Sequence, residues 1–597
     1  MRTRAVFLAV FASFAFSFAP SAHAAAPARM EDLITQYDAD ESAVGQFYDL
    51  PWSAVRFDRL DKLYSAWLAK LAAVDFQTLD HSGQVDYVLL RNNLEQSRAG
   101  IARDRRRLAE MDELIAIRGA IDELEVARLR GIRVDGQAAA TKIGELAAQV
   151  KKLKERIEKG KSADATRGGA KHVGAKDQKS DPPPLSVSPV VALRAAAAVA
   201  GLRGTLKNWF KFYDGFNPQL SWWLKTPCED ADKQLDEYGK FLREEIAGQK
   251  GKDEDPLVGD PIGPAALAAE IRFAFLPYTA GELIAIGERQ LAWGEREMKR
   301  AAREMGCGDD WKAALARVKS DYVPPGEQDE LVWQIGREAI RFVEDRKFAT
   351  IPPLCAETWH LTMMPPETLR TIPYAAYSGQ NVMVAYANES MKQEDKIMVM
   401  RGNNRAFTRL TTIHELIPGH HLQMFNAARH NTYRALFSTP FYVEGWALYC
   451  ELQMWNLGWA HTPQQRIGML FWRMHRAARI IVSLKFHLGE MKPAEMVEFL
   501  VNRVGHERFG ATSEVRRFLE APPLYQAGYL LGGLQLMALH EEMTGPGKMT
   551  DRQFHDALLA ENTMPVEILR DDLLKLPLSR DAKPLWRFAG EHPQPQL

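Results

Sequence analysis

Eight residues, His414-Glu-Leu-Ile-Pro-Gly-His-His421, constrain this chain more than any others. They carry three imidazoles and a carboxylate, inside a segment whose flanks have the apolar periodicity of a helix. A proline and a glycine stand at their centre. A regular helix turns about 100° and rises about 1.5 Å per residue, so side chains four apart share a face. Position 418, four after His414, is Pro418. His420 would lie roughly 240° round an unbroken helix from His414, and His421 about 10.5 Å along it. Neither can meet His414 unless the helix is interrupted. Pro418 has no N–H for the His414 carbonyl and crowds it, while Gly419 permits unusual dihedrals. The pair predicts a bulge that absorbs two residues and returns one of the paired histidines to His414. His420, directly after the glycine, is the expected partner, with His421 as the alternative.

Two imidazoles with an adjacent glutamate are the donor set of a catalytic zinc site, in which the carboxylate takes a proton from the attacking water. The stretch departs from H-E-x-x-H in its spacing. The competing reading is a kinked core helix with hydrogen-bonded histidines. A catalytic zinc wants a third protein ligand. Glu444, in Phe441-Tyr-Val-Glu-Gly-Trp-Ala-Leu-Tyr-Cys-Glu451, is the best candidate. A carboxylate among such apolar and aromatic neighbours is expensive unless paired or on a metal. Glu451, seven later, shares its face, and either orients a ligand or belongs to a solvated surface.

The two motifs, His414-Glu415-x-x-Pro418-Gly419-His420-His421-Leu-Gln423 and Glu444-Gly445-Trp446-Ala447-Leu448-Tyr449-x-Glu451, resemble those of the bacterial "domain of unknown function 885" family. Gly259-Asp-Pro-Ile-Gly263, Leu276-Pro-Tyr-Thr279 and Gly287-Glu-Arg289 are weaker likenesses, so the resemblance spans nearly the whole mature chain. That family is grouped with the gluzincin metallopeptidases. Among these, dipeptidyl peptidase III has a lengthened His-Glu motif whose second histidine still binds zinc. The resemblance implies a large, mainly α, gluzincin-like fold with a small β-hairpin or sheet beside the active-site helix. It also implies two groups that steady an oxyanion. One is His487, in Val482-Ser-Leu-Lys-Phe-His487, where Ser483 and Lys485 depart from the family's Val-Asp-x-Gly-x-His pattern. The other is Tyr529, three before Gly532, where Leu524 and Tyr525 replace the usual glycine and glutamine. A core aromatic is the other reading of Tyr529.

The rest of the chain sets the context. Helical periodicity is widespread over the 597 residues and strand-like runs are few. A formal charge of −1 with no basic excess gives no reason to expect nucleic acid binding. Arg2 and Arg4, the apolar run Ala5 to Ala19 and Ala22-His23-Ala24 read as a signal peptide over residues 1–24. The mature chain then starts at Ala25, in a bacterial periplasm or beyond, with no stable membrane span. Without a cysteine after the cut, lipid attachment is not expected. Residues 25–159 read as an N-terminal helical region, with a helical hairpin over Arg105 to Lys159. Residues 160–189, rich in Gly, Lys and Asp and closing on Pro182-Pro-Pro184, read as an exposed or disordered loop. Residues 190–597 form the catalytic region, continuous with 25–159. Asn381 to Ala387 and Lys396 to Met400 read as two short strands, and the gluzincin resemblance implies that one of them pairs with the substrate backbone. Cys228, Cys307, Cys355 and Cys450 allow up to two disulfides in an oxidising compartment.

The resulting expectation is an exported Zn2+-dependent hydrolase that cleaves peptide bonds, of peptides rather than folded proteins. Its ligands are His414, His420 and Glu444, with Glu415 as general base and His487 and Tyr529 at the oxyanion. The alternatives are a zinc hydrolase of a non-peptide amide, and a periplasmic binding protein without turnover. An intact Glu415 argues against the last, which needs no base.

Overall fold

The computed structural model describes residues 29–50, 52–167, 183–252 and 255–589. Within them lie twenty-two α-helices and one three-stranded sheet, so the chain is mainly helical. The expected signal segment, residues 1–24, lies outside the described residues.

The N-terminal region is built of long helices, among them His81–Met111, Gly136–Arg167, Pro189–Tyr213 and Pro218–Lys240. Local chemistry marks their starts. The side chains of Asp80, Ser188 and Asn217 accept from the N–H groups of Gly83, Val191 and Leu220. Pro189 and Pro218 open their helices, where no N–H is needed. Helix Pro189–Tyr213 is long and apolar enough to cross a membrane; its Val199, Leu206 and Trp209 are buried in the protein's own core.

The boundary expected at Gly160 moves. Helix Gly136–Arg167 runs through it, and residues 168–182 of the expected loop lie outside the described residues. Gly160 serves a close approach instead: a Cβ there would stand 2.2 Å from the Leu185 carbonyl oxygen, where the returning chain crosses the helix. Leu185 N–H donates to Arg156 O at 3.1 Å at that crossing.

One hydrophobic core runs through both regions. Buried Arg434 adds a polar tie between them, reaching Asp86 of helix His81–Met111 at 2.9 Å and Asp572 at 3.2 Å. All four cysteines are free thiols, so neither disulfide forms.

The sheet comprises β1 (His360–Met363), β2 (Ala375–Ser378) and β3 (Asn381–Val384) in the order β1-β3-β2. β3 runs parallel to β1 and antiparallel to β2, with Ser378 opposite Asn381 across a two-residue turn. Gly379 opens that turn at φ 66°. The first expected strand is therefore present as β3. The second is not: Lys396 to Met400 lies in helix Gln393–Gly402, whose first turn carries Glu394 and Asp395. A short run of four apolar residues, Ile397 to Met400, cannot by itself tell a strand from a buried helix turn. β3 is paired on both sides, so β1 and β2 are the edges, and β2 is the edge strand that lines the cavity at His414 and Glu415. Val382 and Val384 of β3 pack with Trp359 and Leu416, which fastens the sheet to the residue following Glu415.

Candidate metal centre

Helix Arg405–Glu415 delivers the first histidine. Asn404 caps it, accepting from the N–H groups of Ala406 and Phe407. After Glu415 the helix ends, and a new one starts at His420. The groups freed between them find partners. Gly419 N–H donates to Ile413 O at 3.1 Å and His421 N–H to Leu416 O at 3.0 Å. The Trp446 indole donates to Pro418 O at 2.9 Å. A Cβ at position 419 would stand 1.9 Å from the His414 carbonyl oxygen, so glycine alone allows the chain to fold back this tightly. The expected bulge is thus a complete break. It returns His420 to His414, with ring centroids 4.8 Å apart.

His421 turns elsewhere. Its Nε2 lies 2.8 Å from Cys355 O and its Nδ1 3.1 Å from the Tyr377 hydroxyl. Both ring nitrogens are engaged away from His414.

Glu444 comes from helix Pro440–Asn456. Its Oε2 lies 3.2 Å from His420 Nε2 and 3.5 Å from His414 Nε2. Its Oε1 accepts a short hydrogen bond from the Tyr525 hydroxyl. Behind the imidazoles, Glu451 Oε1 is 2.7 Å from His414 Nδ1 and Gln423 Oε1 is 3.4 Å from His420 Nδ1. Acceptors at Nδ1 fix each ring's orientation and hold a proton there, so Nε2, which faces Glu444 as a donor, is the atom that would give up its proton to a metal.

The donor set fits a zinc ion. Tetrahedral zinc with ligand bonds of 2.0–2.1 Å separates its ligands by about 3.3 Å, close to the spacing found. Glu415 stands nearby, with one oxygen and the nitrogens of His414 and His420 all within 4.8 Å of one another. Two carboxylates therefore compete for the role of third ligand. Glu444 is the better placed, since one of its oxygens meets both Nε2 atoms at shorter range; Glu415 is left free for chemistry. Burial opposes charge on His414, but hydrogen bonds to Glu444 and Glu451 push its pKa up to about 9. Burial likewise opposes charge on Glu444, and hydrogen bonds from His414 and His420 hold its carboxyl well below the usual range. Three carboxylates around two imidazoles leave a surplus of negative charge that suits a divalent cation.

A cavity of about 420 Å³ opens on this centre, lined by Glu415, the three candidate ligands, β2 and Tyr529. The Tyr529 ring lies parallel to that of His414, at 6.0 Å and 10°. Its hydroxyl accepts from Arg517 Nη2 at 2.9 Å, which leaves its own hydrogen to donate. Burial pushes the Tyr529 pKa up, so the hydroxyl stays protonated at neutral pH. Close packing sets its position: a Cβ on Gly532 would stand 2.0 Å from Phe441 O, and one on Gly445 2.8 Å from the Gly532 Cα. Helix Tyr525–Met543 is thereby drawn against the Glu444 helix.

His487 is not part of this group. It ends helix Pro463–Leu488, eight residues beyond Arg479, or about 12 Å along the axis. Its neighbourhood is Asp260 and Arg107, and burial, the larger effect, lowers its pKa to about 4. Its carbonyl accepts from Gly263 N–H at 3.0 Å. From the same helix it is Arg476 and Arg479 that line the cavity, joined by Arg517 and Tyr525. Of these four, only Tyr525 is named from the sequence, as a departure from the family pattern and without a role at the site. A signal is present for the first two: Arg473, Arg476 and Arg479, three apart in the mainly apolar stretch Leu470 to Leu484, cost as much to bury as Glu444 does. Tyr525 stands one helical turn before Tyr529, on the same face.

Comparison with known proteins places the chain among relatives. The family model described as "Bacterial protein of unknown function (DUF885)" matches residues 42–573. No curated protein matches. The structure of "a putative lipoprotein of unknown function" from Shewanella oneidensis is similar, at a TM-score of 0.66 and 18% identity, covering 92% of this chain and 100% of its own. The "putative lipoprotein from Colwellia psychrerythraea" is similar at a TM-score of 0.57 and 15% identity, covering 92% and 98%. At these identities the likeness is one of fold.

Proposed function

We propose, from the premise that this chain belongs to the DUF885 family of bacterial proteins, that its metal centre holds Zn2+ and hydrolyses peptide bonds. One observation carries the reading. One carboxylate oxygen of Glu444 stands 3.2 and 3.5 Å from two imidazole nitrogens, in a cavity that a second, uncommitted glutamate also lines. His414, His420 and Glu444 would hold the ion. Zn2+ bound there polarises a carbonyl and makes water a better nucleophile at neutral pH.

The chain's own groups do the rest. Glu415 takes the proton of the attacking water and returns it to the leaving amine. Tyr529 donates its hydroxyl hydrogen as charge grows on the carbonyl oxygen. Glu451 holds the His414 ring in one tautomer and orientation. Edge strand β2, along the cavity wall, offers backbone to an extended peptide. A glutamate ligand on the helix after the His-Glu motif, with an edge strand alongside, supports placement among the gluzincins. A cavity of about 420 Å³ favours short peptides over folded proteins. The lipoprotein names of the two similar structures support a place in the cell envelope.

The test is zinc content and peptide cleavage, measured on wild type and Glu415→Gln. Wild type should carry one zinc per chain and cleave members of a peptide library. Glu415→Gln should keep the zinc and lose on the order of 10²–10⁴-fold in turnover. A protein that takes up no transition metal on reconstitution defeats the reading. So does a variant that hydrolyses at the wild-type rate.

A further inference from the structure

Arg476, Arg479 and Arg517 line the same cavity as the metal centre, and their surroundings leave them short of anions. Arg479 is 1% exposed and Arg476 4%. Arg479 Nη2 lies 2.6 Å from Glu514 Oε2, and the other oxygen of Glu514 is 3.8 Å from Arg517 Nη1. One carboxylate thus serves two guanidinium groups. Arg476 reaches Glu451 at 3.3 Å, but that carboxylate gives its shorter contact, 2.7 Å, to His414. Nε of Arg476 and both Nε and Nη1 of Arg479 are buried without a hydrogen-bond partner among the described residues.

A buried cation is costly unless an anion answers it; Arg476 and Arg479 are buried, the Arg517 side chain beside them is 25% exposed, and three cations with so few anions form a site for a further one. The planar fork of a guanidinium matches a carboxylate in particular. Position sets the reach. The Arg479 guanidinium carbon lies 4.4 Å from the Tyr529 ring centroid, whose ring is 6.0 Å from that of His414. The arginines therefore stand within about three residues of extended chain from the first metal ligand.

We propose that these arginines bind a carboxylate of the peptide substrate, one to three residues from the scissile bond. The proposal rests on the hydrolase reading for the word substrate, but the site itself is a matter of binding. Its two sources are a free C-terminus and an acidic side chain. A C-terminal carboxylate so held makes the protein a carboxypeptidase or a dipeptidase-like enzyme; an acidic side chain makes it selective for acidic peptides.

The experiment uses zinc-loaded full-length Glu415→Gln protein, so that bound peptides are not consumed. It is offered randomised peptide libraries with free or amidated C-termini, each made with and without Asp and Glu. Retained peptides are identified by mass spectrometry. Free acids lacking Asp and Glu should be retained at least tenfold over their amides. The preference should vanish when Arg517→Gln or Arg479→Gln is added, with zinc content and circular dichroism confirming the fold. Retention that instead follows internal Asp or Glu, and is lost in the same variants, also supports the site and assigns the side-chain source. Equal retention of all libraries, no retention, or a preference that survives the substitutions overturns it. The comparison of acid with amide needs no arginine variant, so a variant that misfolds does not shelter the proposal. Cleavage of amidated neutral peptides by wild type at full rate leaves the hydrolase reading standing and removes this one.

Discussion

Among the described residues, two buried clusters of imidazole and carboxylate differ in what their nitrogens face. In the first, His414 and His420 turn both Nε2 atoms to one oxygen of Glu444. In the second, His475 lies 3.1 Å from Glu514 through Nε2 and 2.9 Å from His506 through Nδ1; His506 then reaches the Tyr374 hydroxyl at 2.9 Å. The second is a closed chain in which each ring nitrogen has its own partner. The first converges, so that several donors share one point beside a cavity. Composition alone does not tell them apart. Convergence does, because a cation replaces many weak contacts at one point but would have to break every link of a chain.

The largest effect tests that distinction directly. His414→Ala and His420→Ala should each abolish tight zinc binding, beyond the 10–100-fold loss expected for a supporting residue. His475→Gln and His421→Ala should both keep one zinc per chain by elemental analysis. Loss of zinc in His475→Gln erases the contrast between the clusters. Zinc kept in His420→Ala but lost in His421→Ala moves the ligand and contradicts the observed break after Glu415.

Tyr529 sharpens the contrast from the cavity side, since it stacks on the convergent cluster and keeps a hydrogen to donate. Tyr529→Phe should lower kcat on the order of 10²-fold with little change in KM, zinc content or Tm. Unchanged kcat with a lower Tm returns Tyr529 to the role of core aromatic.

How much of this is readable in the chain varies with the kind of information required. Pro418 and Gly419 announce an interruption because their effects are local: one lacks a donor and the other lacks a Cβ. Glu444 announces itself by the cost of burying a carboxylate. The same cost applies to Arg476 and Arg479, yet sequence cannot say which cavity a buried charge faces. His487 shows the converse. Family likeness assigns it to the oxyanion, but eight residues of helix carry it away from Arg479 and the cavity wall. Lys396 to Met400 fails as a strand because a short apolar run is ambiguous between strand and helix, while the turn at Gly379-Gln380, the better signal, lies between runs too short to stand out. The mainly helical character, spread over many long periodic segments, is the most legible level of all.

The smallest expected effect belongs to the closed cluster and concerns protons. Burial, first, and then Arg479 push the His475 pKa down to about 3. Burial and His475 together hold His506 well below the usual imidazole range. In the unfolded chain a histidine takes its proton near pH 6.5. Below that pH, and until the folded pKa is reached, the unfolded state binds more protons than the folded one. The stabilisation is therefore complete above pH 6.5 and is lost as the pH falls toward 3. For His475 alone the loss is about 2 kcal/mol by pH 5. Denaturant unfolding of metal-free wild type and His475→Gln at pH 7 and pH 5 reads it. Glutamine can still donate to Glu514 but does not titrate, so the variant should lose about 2 kcal/mol less than wild type between the two pH values. Equal losses would mean that His475 accepts a proton in the folded state as readily as in water. Its nitrogens would then not be closed to an incoming cation either, and the line drawn between the two clusters would fall.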